Sequence, residues 1–390
     1  MNIDKKLKNN IKLDYISCFV KNLNMQGAIW VLYLAYCGLN LAEIGLVEGI
    51  YHATSILCEI PSGAAADLLG RRRCMILSRI CFAVSCVIML FANGFFMFAL
   101  SFIIQAVGNN LNSGSEEALV YDSMKAIGEE ERYISVYGKL NVILEVAQQI
   151  ATVAGGVLAE YSFRWCYIAS CVIAVLALVP ALLMTEAPFE RENGAIPVGK
   201  LVATHFKKSF EILKTDVRIL KIIAFYSVVF SGYTLLYFYS QQYYSQMGYN
   251  KIQISLIMLI AGVASCAGAL FSDKLFRKLG DRLEVIAAFL IVFAFVCDGF
   301  GSVAVSVLAF AAAGFGNAVL YPVQSEALNA LIPSEQRATL ISVDSMCFSI
   351  AMIILFPLAG AMADAWGLGT IFVVIGLLLG IFIVWHRARK

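Results

Sequence analysis

The chain has 390 residues, 60% of them hydrophobic and only 14% charged, with a mean hydropathy of +0.79. Those values exclude a soluble globular protein, since water cannot solvate so apolar a surface, and they make the bilayer the expected environment. The formal net charge of +2 averages basic segments over long uncharged ones, so no nucleic-acid partner is expected.

A membrane-spanning helix needs roughly 20 apolar residues. The pattern predicts twelve such spans, at 13–37, 42–66, 74–94, 97–121, 135–159, 164–185, 219–244, 252–272, 283–301, 303–330, 338–363 and 367–386. The predicted fold class is therefore an all-α membrane protein. The first span follows Lys5, Lys6, Lys8 and Lys12 and is full length, which reads as an uncleaved first helix rather than a leader. Within it, Lys21 is accompanied by Asn22 and Asn24. It could snorkel to the interface, pair with Glu59 or Glu117, or attract an anionic substrate.

Glu48, His52 and Glu59 of the second span fall within about 40° of one another on a helix turning 100° per residue, so they share a face. Glu59 precedes Asp67 by eight residues, which puts it about 12 Å deep. A buried carboxyl at that depth can titrate as access alternates, so Glu59 is a candidate proton site. Glu145 in the fifth span and Glu117 in the fourth are candidates on the same ground. His52 and Glu48 sit nearer the opposite surface, as gate or mouth residues.

Between the second and third spans lies Gly63-Ala64-Ala65-Ala66-Asp67-Leu68-Leu69-Gly70-Arg71-Arg72-Arg73, which reads as a short cytosolic loop. A degraded copy recurs half a chain later at Gly268, Asp273, Lys274, Arg277, Lys278, Gly280, Asp281 and Arg282. Glu117-Ala118-Leu119 is likewise repeated as Glu326-Ala327-Leu328, Arg132 as Arg337, and Gly156-Val157-Leu158-Ala159-Glu160 as Gly360-Ala361-Met362-Ala363-Asp364. The repeats predict parallel six-helix bundles at 1–185 and 219–390, with substrate between them near the midplane.

The connector 186–218 shifts in composition, through Pro188, Glu190, Arg191, Glu192, Asn193, Gly194 and Pro197. Its second part spaces Val202, Phe206, Phe210, Leu213 and Val217 helically, with Lys207, Lys208 and Lys214 on other faces, as an amphipathic helix on an anionic leaflet would. Gly194 to Leu201 nearly fits a phosphate-binding loop, but Leu201 replaces the hydroxyl residue, Pro197 removes an N–H and no strand precedes it. No ATP hydrolysis, enzymatic activity or cofactor is expected. The seventh span carries Tyr226, Phe230, Tyr233, Tyr237 and Tyr244 as one aromatic stripe, which could stack a flat organic cargo or serve helix packing.

All basic residues except Lys21, Arg164 and Lys251 fit one side of the twelve-crossing topology, with both termini cytoplasmic. The eleven cysteines show no C-x-x-C spacing and read as free buried thiols.

The Gly-x-x-x-Asp-x-x-Gly-Arg-Arg pattern resembles the signature loop of major facilitator superfamily transporters. With Glu59-Ile60-Pro61-Ser62-Gly63 ahead of it and Ser113-Gly114, Ala118, Tyr121 and Asp122 in the fourth span, the chain looks like a bacterial drug-efflux-like branch. The resemblance implies a latch in which Asp67 meets the start of the eleventh helix and Arg71 meets an acid at the foot of the fourth, here Asp122, with Gly63, Gly70 and Arg72 completing the motif. It departs from drug–proton antiporters at Ile104, where they carry arginine, and at Ala151-Thr152-Val153-Ala154-Gly155-Gly156, which lacks their proline.

The resulting expectation is a monomeric, multi-pass transporter of a bacterial plasma membrane, exchanging amphipathic organic compounds for protons. Lys21, His52, Tyr226, Phe230, Tyr233, Tyr237 and Glu326 are the cavity candidates. The rival readings are a proton symporter importing a small polar solute and a lipid or glycolipid flippase.

Overall fold

The structure is a computed structural model and describes residues 3–188, 204, 217–299, 303–331 and 337–388. The near miss to a phosphate-binding loop lies outside the described residues, as does the proposed amphipathic helix except for its last members from Val217 on, which open the next long helix. Among those described, helix dominates throughout: α1 (Ile3–Lys21), α2 (Trp30–Tyr36), α3 (Leu41–Leu69), α4 (Arg71–Phe91), α5 (Phe95–Asn112), α6 (Ser115–Ala126), a 3₁₀ turn (Glu130–Arg132), α7 (Tyr133–Tyr161) and α8 (Phe163–Leu183). After the connector come α9 (Val217–Gln246), α10 (Lys251–Leu279), α11 (Arg282–Gly299), α12 (Val303–Asn329), α13 (Arg337–Trp366) and α14 (Leu368–Ala388).

Nine helices among the described residues are long and apolar enough to cross a membrane. Their outward faces carry Phe96, Val175, Leu176, Leu308, Leu377 and Ile381, side chains that only lipid would solvate well. The chain is an all-α membrane protein.

Three boundaries differ from the hydropathy reading. The first predicted span is two helices, α1 and α2, separated by residues 22–29. The fourth is also interrupted: α5 ends at Asn112, Gly114 takes φ +74°, and α6 starts at Ser115. The presumed loop of the arginine motif is helical on both sides of Gly70, with Asp67 in the last turn of α3 and Arg71 to Arg73 opening α4.

Two compact units divide the chain, Met1–Gly27 with Ile50–Thr204, and Ala28–Gly49 with His205–Lys390. In the first, α4 packs along α5 and α8, while α1 lies on α6, α7 and α8. Leu7, Leu13, Met75, Leu119 and Met184 form an apolar core beside the arginine motif. In the second, α12 packs between α10 and α11, α11 against α14, and α9 against α13.

The second unit also holds α2 and the start of α3. Asp364 caps α3, its carboxylate oxygens accepting from Leu41 N at 3.0 Å and Ala42 N at 2.9 Å, the favourable charge for a helix N-terminus. The Tyr239 hydroxyl lies 3.1 Å from the Leu41 carbonyl oxygen and 3.0 Å from that of Phe356. Val31 N–H donates to Gln241 Oε1 at 3.3 Å, and the Trp30 ring meets Phe238 edge-on at 5.1 Å.

Candidate functional site

The two helix interruptions build the site. After Lys21 the side chains compete for the backbone: Asn22 Nδ2 donates to the Cys18 carbonyl at 2.7 Å, and Asn24 Oδ1 accepts from Gln26 N at 3.3 Å. Such local bonds offer the chain an alternative to the helix ladder. The exposed Met25 carbonyl accepts from Cys166 Sγ at 3.0 Å and lies against Gly155, where a Cβ would overlap it. In the fourth span, the left-handed turn at Gly114 places Glu116 in the first turn of α6, where backbone N–H groups favour a carboxylate.

Glu116 is buried, 5% exposed, and four donors saturate its carboxylate. Oε1 accepts from Ser17 Oγ at 3.0 Å and Arg79 Nη2 at 3.1 Å; Oε2 accepts from Asn112 Nδ2 at 3.0 Å and from Lys21 Nζ. Arg79 is 6% exposed and Asp14 is 2% exposed, and Asp14 shares a cavity wall with Lys21 and Glu116. Two acids and two bases thus meet inside the bundle. Balance matters because removing one partner of a buried pair costs about 3–5 kcal/mol.

Two cavities of the first unit flank this cluster. The larger, about 250 Å³, is lined by Lys21, Asn24, Arg79, Gln105, Asn109 and Gln148 among others, a predominantly polar wall. The smaller, about 140 Å³, is lined by Asp14, Lys21, Glu116, Glu117, Tyr133 and Tyr137. Lys21 belongs to both walls, so its ion pair with Glu116 stands between the two cavities.

The arginine motif is tied to the same unit. The Arg71 guanidinium pairs with Asp122 and donates to the Ala118 carbonyl at 2.9 Å, and Arg72 Nη2 reaches the Leu182 carbonyl at 2.6 Å. Glu186 caps α4, accepting from Arg71 N at 2.9 Å and Arg72 N at 3.0 Å. Gly70, at φ +95°, is the one residue between α3 and α4, and a Cβ there would lie 3.0 Å from the Glu186 carboxylate. Asp67 and Gly63 are exposed on α3.

Comparison with known proteins decides the family. The Major Facilitator Superfamily model matches residues 16–298 and 284–390. The chain belongs to that superfamily. Relatives include the uncharacterized MFS-type transporter YxaM of Bacillus subtilis (strain 168), 23% identical over 374 residues, covering 91% of this chain and 89% of YxaM. A second is the uncharacterized MFS-type transporter MJ1560 of Methanocaldococcus jannaschii, 22% identical, covering 94% of each. Among solved structures, a mutant form of the nucleoside transporter NupG superposes with a TM-score of 0.82 at 13% identity, covering 99% of this chain and 100% of NupG. The D-xylose-proton symporter gives 0.69 at 15% identity, covering 97% of each. These likenesses concern the fold.

In this major facilitator the other sequence candidates are dispersed. Glu59 is half-buried on α3 while Glu145 on α7 and Glu117 on α6 are exposed, and of the three only Glu117 lines the smaller cavity. His52 is buried with its ring 5.3 Å from that of Tyr51. In the second unit Tyr226 and Phe230 are buried. Phe230 stacks on Tyr321 at 4.3 Å and Tyr237 on Phe310 at 6.0 Å, while Tyr233 and Tyr237 stay half-buried. Glu326 is exposed near the end of α12.

Four members of the site were not among the sequence candidates: Asp14, Arg79, Glu116 and Glu186. Asp14, Ser17 and Lys21 recur at i, i+3 and i+7, a one-face spacing that could have exposed the first. Arg79 was legible as the one arginine set beyond the 71–73 cluster, inside the apolar run.

Proposed function

We propose that this major facilitator is a proton-coupled secondary transporter of a small polar solute, working by alternating access. The Asp14, Lys21, Arg79 and Glu116 cluster is its coupling site. The observation that carries this reading is the buried Glu116 carboxylate between a polar cavity and a second cavity bearing Glu117 and two tyrosines. A proton on Glu116 would release Lys21 and Arg79 from their shared partner, so occupancy of the larger cavity and protonation are linked through the same side chains. Glu117, in the smaller cavity, would relay protons; Glu59 and Glu145 are the next carboxyls to test.

Glu116→Gln keeps the shape and most hydrogen bonds but cannot titrate. In proteoliposomes it should preserve solute exchange while abolishing pH-driven accumulation. Full accumulation by the purified variant would remove Glu116 from the mechanism.

A second reading, proton-driven export of flat amphipathic compounds, is favoured by Tyr233 and Tyr237, whose half-buried rings lie 6.2 Å apart on one face of α9. Tyr237→Ala should then weaken cargo binding by about 0.5–1.5 kcal/mol, the scale of an aromatic contact beyond burial. Ethidium efflux from cells expressing the protein is the assay, and its absence would leave the first reading alone.

A further inference from the structure

We infer that the larger cavity of the first unit binds the anionic group of a small polar cargo. The inference rests on the proton-coupled reading and assigns the cargo's chemical class.

Size comes first. A space of about 250 Å³ falls below the roughly 300–1,000 Å³ of drug-sized ligand sites. It suits a metabolite-sized solute. Its amides, Asn24, Gln105, Asn109 and Gln148, offer donors and acceptors for a polar body.

Polarity supplies the sign. Arg79 presents Nη2 to Glu116, but its Nε, buried in the same wall, has no partner among the described residues. The Lys21 side chain is 23% exposed and faces both cavities. A guanidinium with a spare N–H beside an ammonium is a recognition pair for carboxylate or phosphate oxygens. Asn112 Oδ1, in the same wall, is likewise without a partner, and accepts a hydroxyl or amide hydrogen from the rest of the solute.

The same cations tie the anion to the proton. The groups facing Glu116 are Asp14, Cys18 and Lys21 from α1, Arg79 from α4, the neutral Asn112 from α5, Glu117 from its own helix, and Tyr133 and Tyr137 from α7. An anion in the larger cavity competes with Glu116 for Lys21 and Arg79. A proton on Glu116 frees both cations for the newcomer.

The test uses wild-type protein in proteoliposomes loaded with a pH-sensitive dye. Lactate, gluconate, glycerol 3-phosphate and inorganic phosphate are the anionic probes; D-xylose and uridine are the neutral ones. The expected result is lumenal acidification driven by a carboxylate or a phosphate probe, which identifies the anion's source. Arg79→Gln should raise the half-saturating probe concentration by about tenfold or more, the scale of a lost charge-assisted hydrogen bond. Acidification driven only by the neutral probes overturns the inference while leaving proton coupling intact. Silence with every probe, in liposomes where the protein is shown to be folded and oriented, overturns both.

Discussion

At the residue scale, Glu116 and its partners form a unit in which single changes and compensated changes should separate. Lys21→Met leaves the core with a surplus acid and should destabilise the protein by about 3–5 kcal/mol, the cost of a broken buried pair. Adding Glu116→Gln returns the count to one acid, Asp14, and one base, Arg79. The double variant should therefore unfold at a higher temperature than Lys21→Met alone, a non-additivity expected of direct contacts. A surface pair gives a pH test. Glu129 accepts from Lys8 at 2.8 Å and pairs with Arg132, and the Lys8 hydrogen bond foremost holds its carboxyl below the ordinary value. A depressed carboxyl adds stability above its unfolded pKa and loses it as pH falls through the folded one. The melting-temperature gap between wild type and Glu129→Gln should thus be present at neutral pH and close in acid.

Lys21 was legible as an anomalous charge, with an internal ion pair among its possible roles, but its partner was not. Adjacent Glu116 and Glu117 are equivalent to any hydropathy window. The turn at Gly114 resets the helical phase, and that turn decides which acid faces inward. Arg79 was counted with the motif arginines as a topology signal, because charge placement along a sequence does not say which way a side chain leaves its helix.

At the element scale, the apolar runs located the membrane helices well because burial in lipid demands length and apolarity together. They could not locate the two interruptions, since a bilayer-length run stays apolar on average whether or not its backbone is continuous. Nor did they reveal the cap on α4, whose residue lies beyond a different helix. Glu186→Ala should cost about 0.5–2 kcal/mol, the range for a lost helix cap, measured as a drop in melting temperature. Glu186→Gln, which keeps an acceptor, should lose less. The latch proposed for Asp67 makes its own claim. Asp67→Asn should raise the labelling of cysteines introduced at the motif end of α3, by favouring the state in which that end is accessible. Unchanged labelling with unchanged transport would count against the latch.

At the scale of the whole molecule, the internal repeats suggested a division near the connector, whereas the contacts assign residues 28–49 to the unit that begins at His205. Sequence symmetry records how a chain was duplicated; contacts record what each segment packs on now. A fragment starting at 205 would leave Tyr239 and Asp364 without Leu41 and Ala42. Such a fragment should be degraded when expressed alone and accumulate when co-expressed with 1–204, as immunoblotting of membranes would show.

The interruption after Lys21 has a mechanical meaning. A continuous helix is a rod that carries twist and thrust along its axis; an eight-residue break, residues 22–29, does not. The chain passes from one compact unit to the other between Gly27 and Ala28, inside this break, so α1 and α2 are not one rigid rod. On the proposed coupling reading, a proton at Glu116 is felt first by the helices that carry its partners, α1, α4 and α5.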